Sequence, residues 1–441
     1  MARSTGYALL AGIVALVAVI SAAIFVTVSR ADGSGRSGQD TVAAGLPGIP
    51  NQAAPAASGA WVGTWSTSPA GGEPNRPDGY AGWSIRNVVH TSVGGTSARV
   101  HLSNLFGRSS LLIGRATVAV AADPGSPAAA DGTMRSLTFG GRTSVRIPAG
   151  GEVVSDPVQL AVPHATDLLV TTYTPKASGP VTYHPRAQQT SFMAAGERTA
   201  RTDGSGYTTL TPYWRYVTGV DVFTRQAAGS VVLFGDSITD GITSTSGANH
   251  RWPDRLATRL RGSGDRGLRL GVLNQGISGN RVLRDGENGG NPSGLSRLDR
   301  DALSQAGVRT LVVELGINDV MRPPQRTGAQ EILSGLREIV ARGHERGLRV
   351  LGATLTPSGG HPGSNTHTEA VRQQVNAAIR AGTVFDEVID FDRALRDPGR
   401  PSALLPAYDS GDHLHPSDAG YLRMAETVEL SLLKGGAAAK V

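Results

Sequence analysis

Two periodicities of apolar and polar residues divide the chain. From Trp61 to about Arg225 the two kinds alternate with period two over short runs. Examples are Ala98-Arg99-Val100-His101-Leu102, Leu168-Leu169-Val170-Thr171-Thr172-Tyr173 and Tyr213-Trp214-Arg215-Tyr216-Val217. Turn residues punctuate them: Gly94-Gly95, Gly140-Gly141 and Pro148-Ala149-Gly150-Gly151. Such alternation lays one face of each strand on a core. Many short strands with no helical stretch predict an all-β, sandwich-like domain over 60–225. From Gly229 onward the pattern changes. Apolar strand candidates at 231–234, 270–273, 310–315, 348–353 and 387–391 alternate with helical segments at Trp252–Leu260, Gln330–Arg346, Thr368–Arg380 and Ser417–Leu433. Strands apolar on both faces, alternating with helices, predict an α/β domain over 226–434 with a doubly wound, mostly parallel sheet. Residues 435–441 read as a tail.

Ahead of both stands a third pattern. Tyr7 to Val28 carries no charge and is rich in Leu, Ile, Val and Ala. At about 20 residues it is long enough to span a bilayer as a helix. Val28-Ser29-Arg30-Ala31 is a poor cleavage site, and Ala22-Ala23 stays open as another. Residues 1–30 are therefore expected to be an uncleaved membrane anchor, with a cleaved signal as the alternative. The Gly-, Ser-, Ala- and Pro-rich residues 31–59 read as a flexible linker. Either reading places the rest of the chain outside the cytoplasm, secreted or tethered to the outer face of the membrane.

Composition narrows the classes. At 441 residues, with 58 glycines and 25 prolines, the chain suits two loop-rich cores. The net charge is only +6, and no stretch combines clustered arginine with aromatic residues, which argues against a nucleic-acid partner. The lack of cysteine excludes disulfides, thiolate metal sites, cysteine nucleophiles and a lipoprotein anchor. His361 and His367 lie in a Gly/Ser/Asn loop without acidic partners at ligand spacing, so no metal and no other cofactor is expected. Trp61, Trp65, Trp83 and Trp214 are either core residues or a platform for stacking sugars.

The chemistry gathers in the second domain. Val231 to Phe234 run straight into Gly235-Asp236-Ser237, which puts a hydroxyl just past the carboxyl end of a core strand, where open α/β sheets place their ligands. Alone, Gly-Asp-Ser is a common turn. A partner follows 178 residues later in Asp412-His413-Leu414-His415, an Asp-x-x-His able to supply a base and orient it. Two more segments fall after strand candidates. In Asn274-Gln275-Gly276-Ile277-Ser278-Gly279-Asn280, Gly279 offers an unobstructed N–H. In Gly316-Ile317-Asn318-Asp319, Asn318 offers a side-chain amide. Singly, these have structural readings as a positive-φ glycine, an Asx turn or a helix cap. His413 and Asp409 are rivals for the base and its partner. Asp236, Asp240 and Asp319 read as carboxylates that brace loops.

The four segments, in this order, resemble the blocks of the SGNH hydrolase superfamily, also called GDSL esterases, over residues 229–433. Thr64-Trp65-Ser66-Thr67-Ser68-Pro69 and Leu102-Ser103-Asn104 are similar to bacterial secreted members with an N-terminal β domain. The resemblance implies an SGNH-type fold and a serine esterase. Ser237 would be its nucleophile, His415 its base, and Asp412, favoured over Asp409 by the family spacing, the residue orienting the imidazole. Ser237 N–H, Gly279 N–H and the Asn318 amide would form the oxyanion hole. The expected substrate is a small-molecule or polysaccharide ester, with carbohydrate O-acetyl groups foremost. A lipase or lysophospholipase is the alternative, and a non-catalytic glycan- or wall-binding protein is a third reading. The loops Arg284–Ser296 and Ser358–Thr366 hold few apolar residues for a long acyl tail.

Overall fold

A computed structural model of the chain describes residues 59–323 and 327–435. The apolar run Tyr7–Val28 lies outside them. Among the described residues no helix is long and apolar enough to cross a membrane.

The first region is a stack of antiparallel sheets. One has five strands, built around Ala60–Ser66, Gly95–Ser103 and Val217–Thr224; the other has six, built around Trp83–His90, Arg115–Val120 and Asp167–Thr174. Their inward residues meet in one core, with Val62, Val100 and Val220 from the first sheet against Ile85, Val118 and Val170 from the second. The run at 213–217 does not form one strand. Tyr216 is buried with φ +62°, so the chain turns between Trp214–Arg215 and Val217–Thr224. The indole N–H of Trp214 donates to the Val88 carbonyl at 2.7 Å, and its ring meets Trp65 edge-on, both rings buried. These two tryptophans are therefore core and face no sugar. Trp61 is half-buried against Phe223.

In the second region five parallel strands form one sheet: β1 (Gly229–Gly235), β2 (Leu270–Gly276), β3 (Val308–Glu314), β4 (Arg349–Ala353) and β5 (Glu387–Ile389). Their order is β2-β1-β3-β4-β5, so the chain direction across the sheet reverses between β1 and β3. Val231 and Leu233 of β1 pack on one face against Trp252, Leu256, Tyr421 and Met424. Val232 and Phe234 pack on the other face against Leu298, Ile332, Leu336 and Val375. A strand covered on both faces has no need for alternation, which is why its apolar residues run unbroken.

Two expected elements end early. The last helix stops at Thr427, and a 3-10 turn, Leu430–Lys434, follows. Arg259 takes the freed carbonyls of Ala425 and Val428 at that break. The fifth strand stops at Ile389, because Asp390 turns the chain into the helix Phe391–Leu395 by accepting from the Arg393 N–H.

The two regions pack into one compact unit. Ala60–Ser66 runs against β2, the edge strand of the parallel sheet, and hides it from other chains. Gly63 N–H donates to the Ala306 carbonyl at 3.0 Å, and Val272 N–H to Ser92 Oγ at 2.9 Å. Backbones touch here, and a Cβ on Gly271 would collide with the Gly63 carbonyl oxygen. A Cβ on Gly262 meets nothing within 4 Å. Gly271→Ala is thus expected to destabilise the protein by about 1–3 kcal/mol. Gly262→Ala, at the end of a helix, should be neutral or gain up to about 1 kcal/mol. Urea midpoints read the difference, and equal midpoints would refute the tight contact.

Candidate active site

The site grows from the end of β1. Asp236 leaves the strand conformation and its Oδ1 accepts the Ile238 N–H at 3.0 Å, capping the one-turn helix α1 (Ser237–Asp240). Ser237 is the first residue of that turn, so its own N–H has no acceptor within the helix. Gly235 permits the tight exit, since a Cβ there would strike Thr239.

His415 Nε2 lies 2.9 Å from Ser237 Oγ, and His415 Nδ1 lies 2.6 Å from Asp412 Oδ2. Asp412 Oδ1 also accepts the N–H groups of Leu414 and His415 at 3.0 and 2.8 Å. Burial works against the Asp412 charge, but the His415 ring and the two backbone donors overcome it and hold the carboxyl at about 2. Asp412 is therefore an acceptor at any ordinary pH. Nδ1 carries the proton it accepts, and Nε2 is left to accept from the serine hydroxyl.

The rival pair has its own arrangement. His413 has φ +64°, and its ring meets Asp409 instead of Ser237, with Nδ1 2.7 Å from Oδ2. Neither residue touches Ser237.

Gly279 follows β2 with φ +78°, and Asn318 follows β3 in the helix Ile317–Met321, entered through Gly316 at φ +129°. Asn318 Nδ2 donates to Asp236 Oδ2 at 3.2 Å, which places the amide beside the serine turn. Arg322 Nε donates to Asn318 Oδ1 at 3.0 Å, and the same guanidinium lies against Gly279. All the anticipated site residues thus stand together at the reversal between β1 and β3, where doubly wound sheets form their crevice.

Three carboxyls lie under the site. Burial raises Asp236 to about 7, with the neighbouring Asp319 charge adding to the shift. Burial raises Asp319 to about 6 against the two N–H groups it accepts, from Val282 at 2.7 Å and Leu283 at 3.2 Å. Burial and the Asp236 charge push Glu314 well up. Asp236 and Asp319 brace loops, as their positions beside the motifs suggest. Glu314, on the sheet itself, gave no signal in the sequence.

The β region supplies further supports. Asp240 Oδ2 accepts from both the N–H and the hydroxyl of Ser278, at 3.0 and 2.7 Å. Its Oδ1 meets His184 Nε2 at 2.9 Å, and His184 Nδ1 meets the Ser68 carbonyl at 2.8 Å. Both His184 nitrogens are thus engaged, which ties the β region to Asp240. Buried Arg297 donates to Gly235 O, Gln275 O, Asn280 Oδ1 and Ser68 Oγ at 2.8–3.0 Å. Ser66 and Ser68 sit in the quoted Thr-Trp-Ser-Thr-Ser-Pro segment, and that segment was the one signal of these contacts. His184 and Arg297 carried none. Among the described residues no cluster of three or more His, Asp or Glu side chains is arranged for a metal ion.

Residues 233–423 match the model of the GDSL-like lipase/acylhydrolase family. The chain carries a GDSL acylhydrolase domain. It is accordingly a carboxylic ester hydrolase. No curated protein matches the chain. Solved structures similar to it include a GDSL-like lipase from Bacteroides thetaiotaomicron, at 18% identity over 46% of this chain and 87% of that one, TM-score 0.35. A carbohydrate acetylesterase from Sinorhizobium meliloti is similar at 18% identity over 44% and 94%, TM-score 0.36. The M. smegmatis aryl esterase is similar at 18% over 45% and 94%, TM-score 0.36.

Within this acylhydrolase domain the two Asp–His pairs separate cleanly by mutation. Asp412→Asn is expected to lower kcat by about 10³–10⁴, because an amide stabilises the wrong imidazole tautomer. Asp409→Asn should stay within about threefold of wild type, since its histidine is not in the path. A reversal of the two results would transfer the role to Asp409 and His413.

The buried carboxyls set a pH dependence of stability. Asp236 has an ordinary value of 3.8 and a folded value of about 7, so the folded state binds its proton more tightly. Its contribution is fully present below about pH 4 and is lost as pH rises through about 7. Asp236→Asn should therefore flatten the decline in urea midpoint between pH 4 and 7. An unchanged slope would mean that Asp236 is ionised across that range.

Proposed function

We propose that the protein is an extracytoplasmic serine esterase that forms an acyl-enzyme on Ser237. One observation carries this reading: an unbroken path from Ser237 Oγ through both nitrogens of His415 to Asp412, at 2.9 and 2.6 Å. A serine hydroxyl is a poor nucleophile near neutral pH. His415 Nε2 takes its proton as Oγ attacks the ester carbonyl, and Asp412 stabilises the imidazolium that forms. The carbonyl oxygen becomes negative as the tetrahedral intermediate appears. Ser237 N–H, Gly279 N–H and the Asn318 amide receive it, each worth about 2.7–4 kcal/mol in comparable sites. The imidazolium then protonates the leaving alcohol. Water, deprotonated by the same ring, releases the acid.

The favoured substrate is an O-acetyl group on a carbohydrate. A cleft of about 760 Å³ lies between the β region and the loop after β2, reaching Ser278, the neighbour of Gly279. Its walls combine the rings of Phe106 and Tyr183 with the polar side chains of Arg76, Arg108 and Asn291. Apolar faces flanked by hydrogen-bonding groups suit a sugar better than an acyl chain. The charge-free run Tyr7–Val28 and the following linker support export, and an enzyme outside the cell meets glycan at the surface.

Ser237→Ala is expected to abolish ester hydrolysis while leaving the melting temperature within a few degrees, since only a hydroxyl is lost at a turn. Retention of more than about a tenth of kcat would end the nucleophile assignment. With the wild-type enzyme, kcat/KM should fall along p-nitrophenyl esters from acetate to decanoate and be highest on an acetylated oligosaccharide. A rise with chain length would replace the deacetylase reading with a lipase.

A further inference from the structure

Gly279 is a glycine for two reasons. Its φ is +78°, and a Cβ on it would lie 2.7, 2.8 and 2.9 Å from Nη2, Cζ and Nη1 of Arg322. The Arg322 guanidinium thus occupies the space that a side chain at position 279 would fill. The Nε–H of that same group donates to Asn318 Oδ1 at 3.0 Å. One side chain therefore touches both oxyanion donors that come from outside the nucleophile turn. Its backbone is well placed for this, because Arg322 is the first extended residue after the helix that carries Asn318.

A primary amide can present either its oxygen or its nitrogen to a site. Here both ends of Asn318 are held: Nδ2 donates to Asp236 Oδ2 and Oδ1 accepts from Arg322. A flip would set oxygen against the carboxyl and NH2 against the guanidinium, two mismatches at once. With one amide hydrogen given to Asp236, the other is left for an oxyanion. The Arg322 charge also lies near Asp236, where it offsets negative charge under the hole.

We propose that Arg322 is a positioning residue of the oxyanion site, orienting the Asn318 amide and packing beside Gly279. The proposal rests on the acyl-transfer reading, and it goes beyond the residues that carry the chemistry. Lysine replaces it only in part, because a flexible ammonium lacks the planar guanidinium that fills the space beside Gly279 while its Nε–H donates to Asn318.

The test is a double-mutant cycle on p-nitrophenyl acetate with Arg322→Ala and Asn318→Ala. Arg322→Ala should lower kcat at least about tenfold with KM within about threefold, because the lost interaction matters only in the transition state. In the Asn318→Ala background the same change should cost less than about threefold, because the residue it serves is gone. Arg322→Lys should fall between wild type and Arg322→Ala, and guanidinium added to Arg322→Ala should restore part of kcat. Arg322 is exposed, so both variants should melt with wild type. The proposal is overturned by a kcat loss below threefold, by a loss carried in KM, or by equal losses in both backgrounds. That last result would make Arg322 a direct donor to substrate. Activity surviving Ser237→Ala would instead defeat the acyl-transfer reading, a result that Arg322 variants cannot mimic.

Discussion

The arrangement of this site depends on one buried cation. Arg297 is fully buried, and it stands over the Phe234 ring with Cζ 3.9 Å from the centroid. Its three guanidinium nitrogens reach the last carbonyl of β1, a carbonyl of β2, the Asn280 side chain, Ser68 of the β region and Asp301. Desolvation lowers its pKa to about 10, which leaves it charged at neutral pH. A charge taken out of water costs several kcal/mol unless its donors are satisfied, so the acceptors cannot drift without leaving it unpaired. Those acceptors lie next to Ser237 and Gly279. The requirement to satisfy a guanidinium thereby sets the spacing between the nucleophile turn and the loop after β2.

The β region belongs to this constraint. Ser68 gives its hydroxyl to the Arg297 network and its carbonyl to His184, which holds Asp240. Asp240 in turn holds Ser278, one residue before Gly279. Two chains of contacts therefore run from one strand end of the sandwich to the loops around the nucleophile. The sandwich also covers the edge of the parallel sheet at β2. Together these contacts explain why the regions share one compact unit and do not move as beads on a string. A rigid frame of this kind is what preorganised donors require, since a donor misplaced by an ångström loses much of its effect.

The legible parts of the sequence were those whose cause is local. Val231 to Phe234 announced β1 because a strand buried on both faces needs an unbroken apolar run, and the helices around Leu256, Leu336 and Val375 showed through their period. Ser237, Gly279 and Asn318 were legible because each sits in a short motif at a strand end, and Asp412 and His415 because they form an Asp-x-x-His ahead of the last helix. What the sequence hid was set at long range. His184 lies 56 residues from Asp240, and Arg297 lies 229 from Ser68. No periodicity records such pairs. Tyr216 was misread for a related reason: its residue type favours a strand, but the packing around Trp214 forces a positive φ. The choice between the two Asp–His pairs was local in sequence and leaned on the family spacing, and the structure sets the His413 ring on Asp409 and the His415 ring between Asp412 and Ser237.

The acids beneath the oxyanion site raise a last physical question. A full negative charge on Asp236 would oppose the charge that develops on a carbonyl oxygen beside Asn318. Burial acts against that charge and carries Asp236 to about 7, and Glu314 and Asp319 are raised in the same direction. Near neutral pH the group bonded to Asn318 is thus partly protonated and repels an oxyanion less. Asp412, bonded to the His415 ring that meets Ser237, is held at about 2 and keeps its charge beside that ring. Acids of one chemical kind are given opposite charge states within one site: burial removes charge beside Asn318, where the proposed acyl transfer places an anion, and hydrogen bonds keep it beside His415, where that mechanism places a cation. The site's polarity follows from which carboxyl the fold dries and which it supplies with donors.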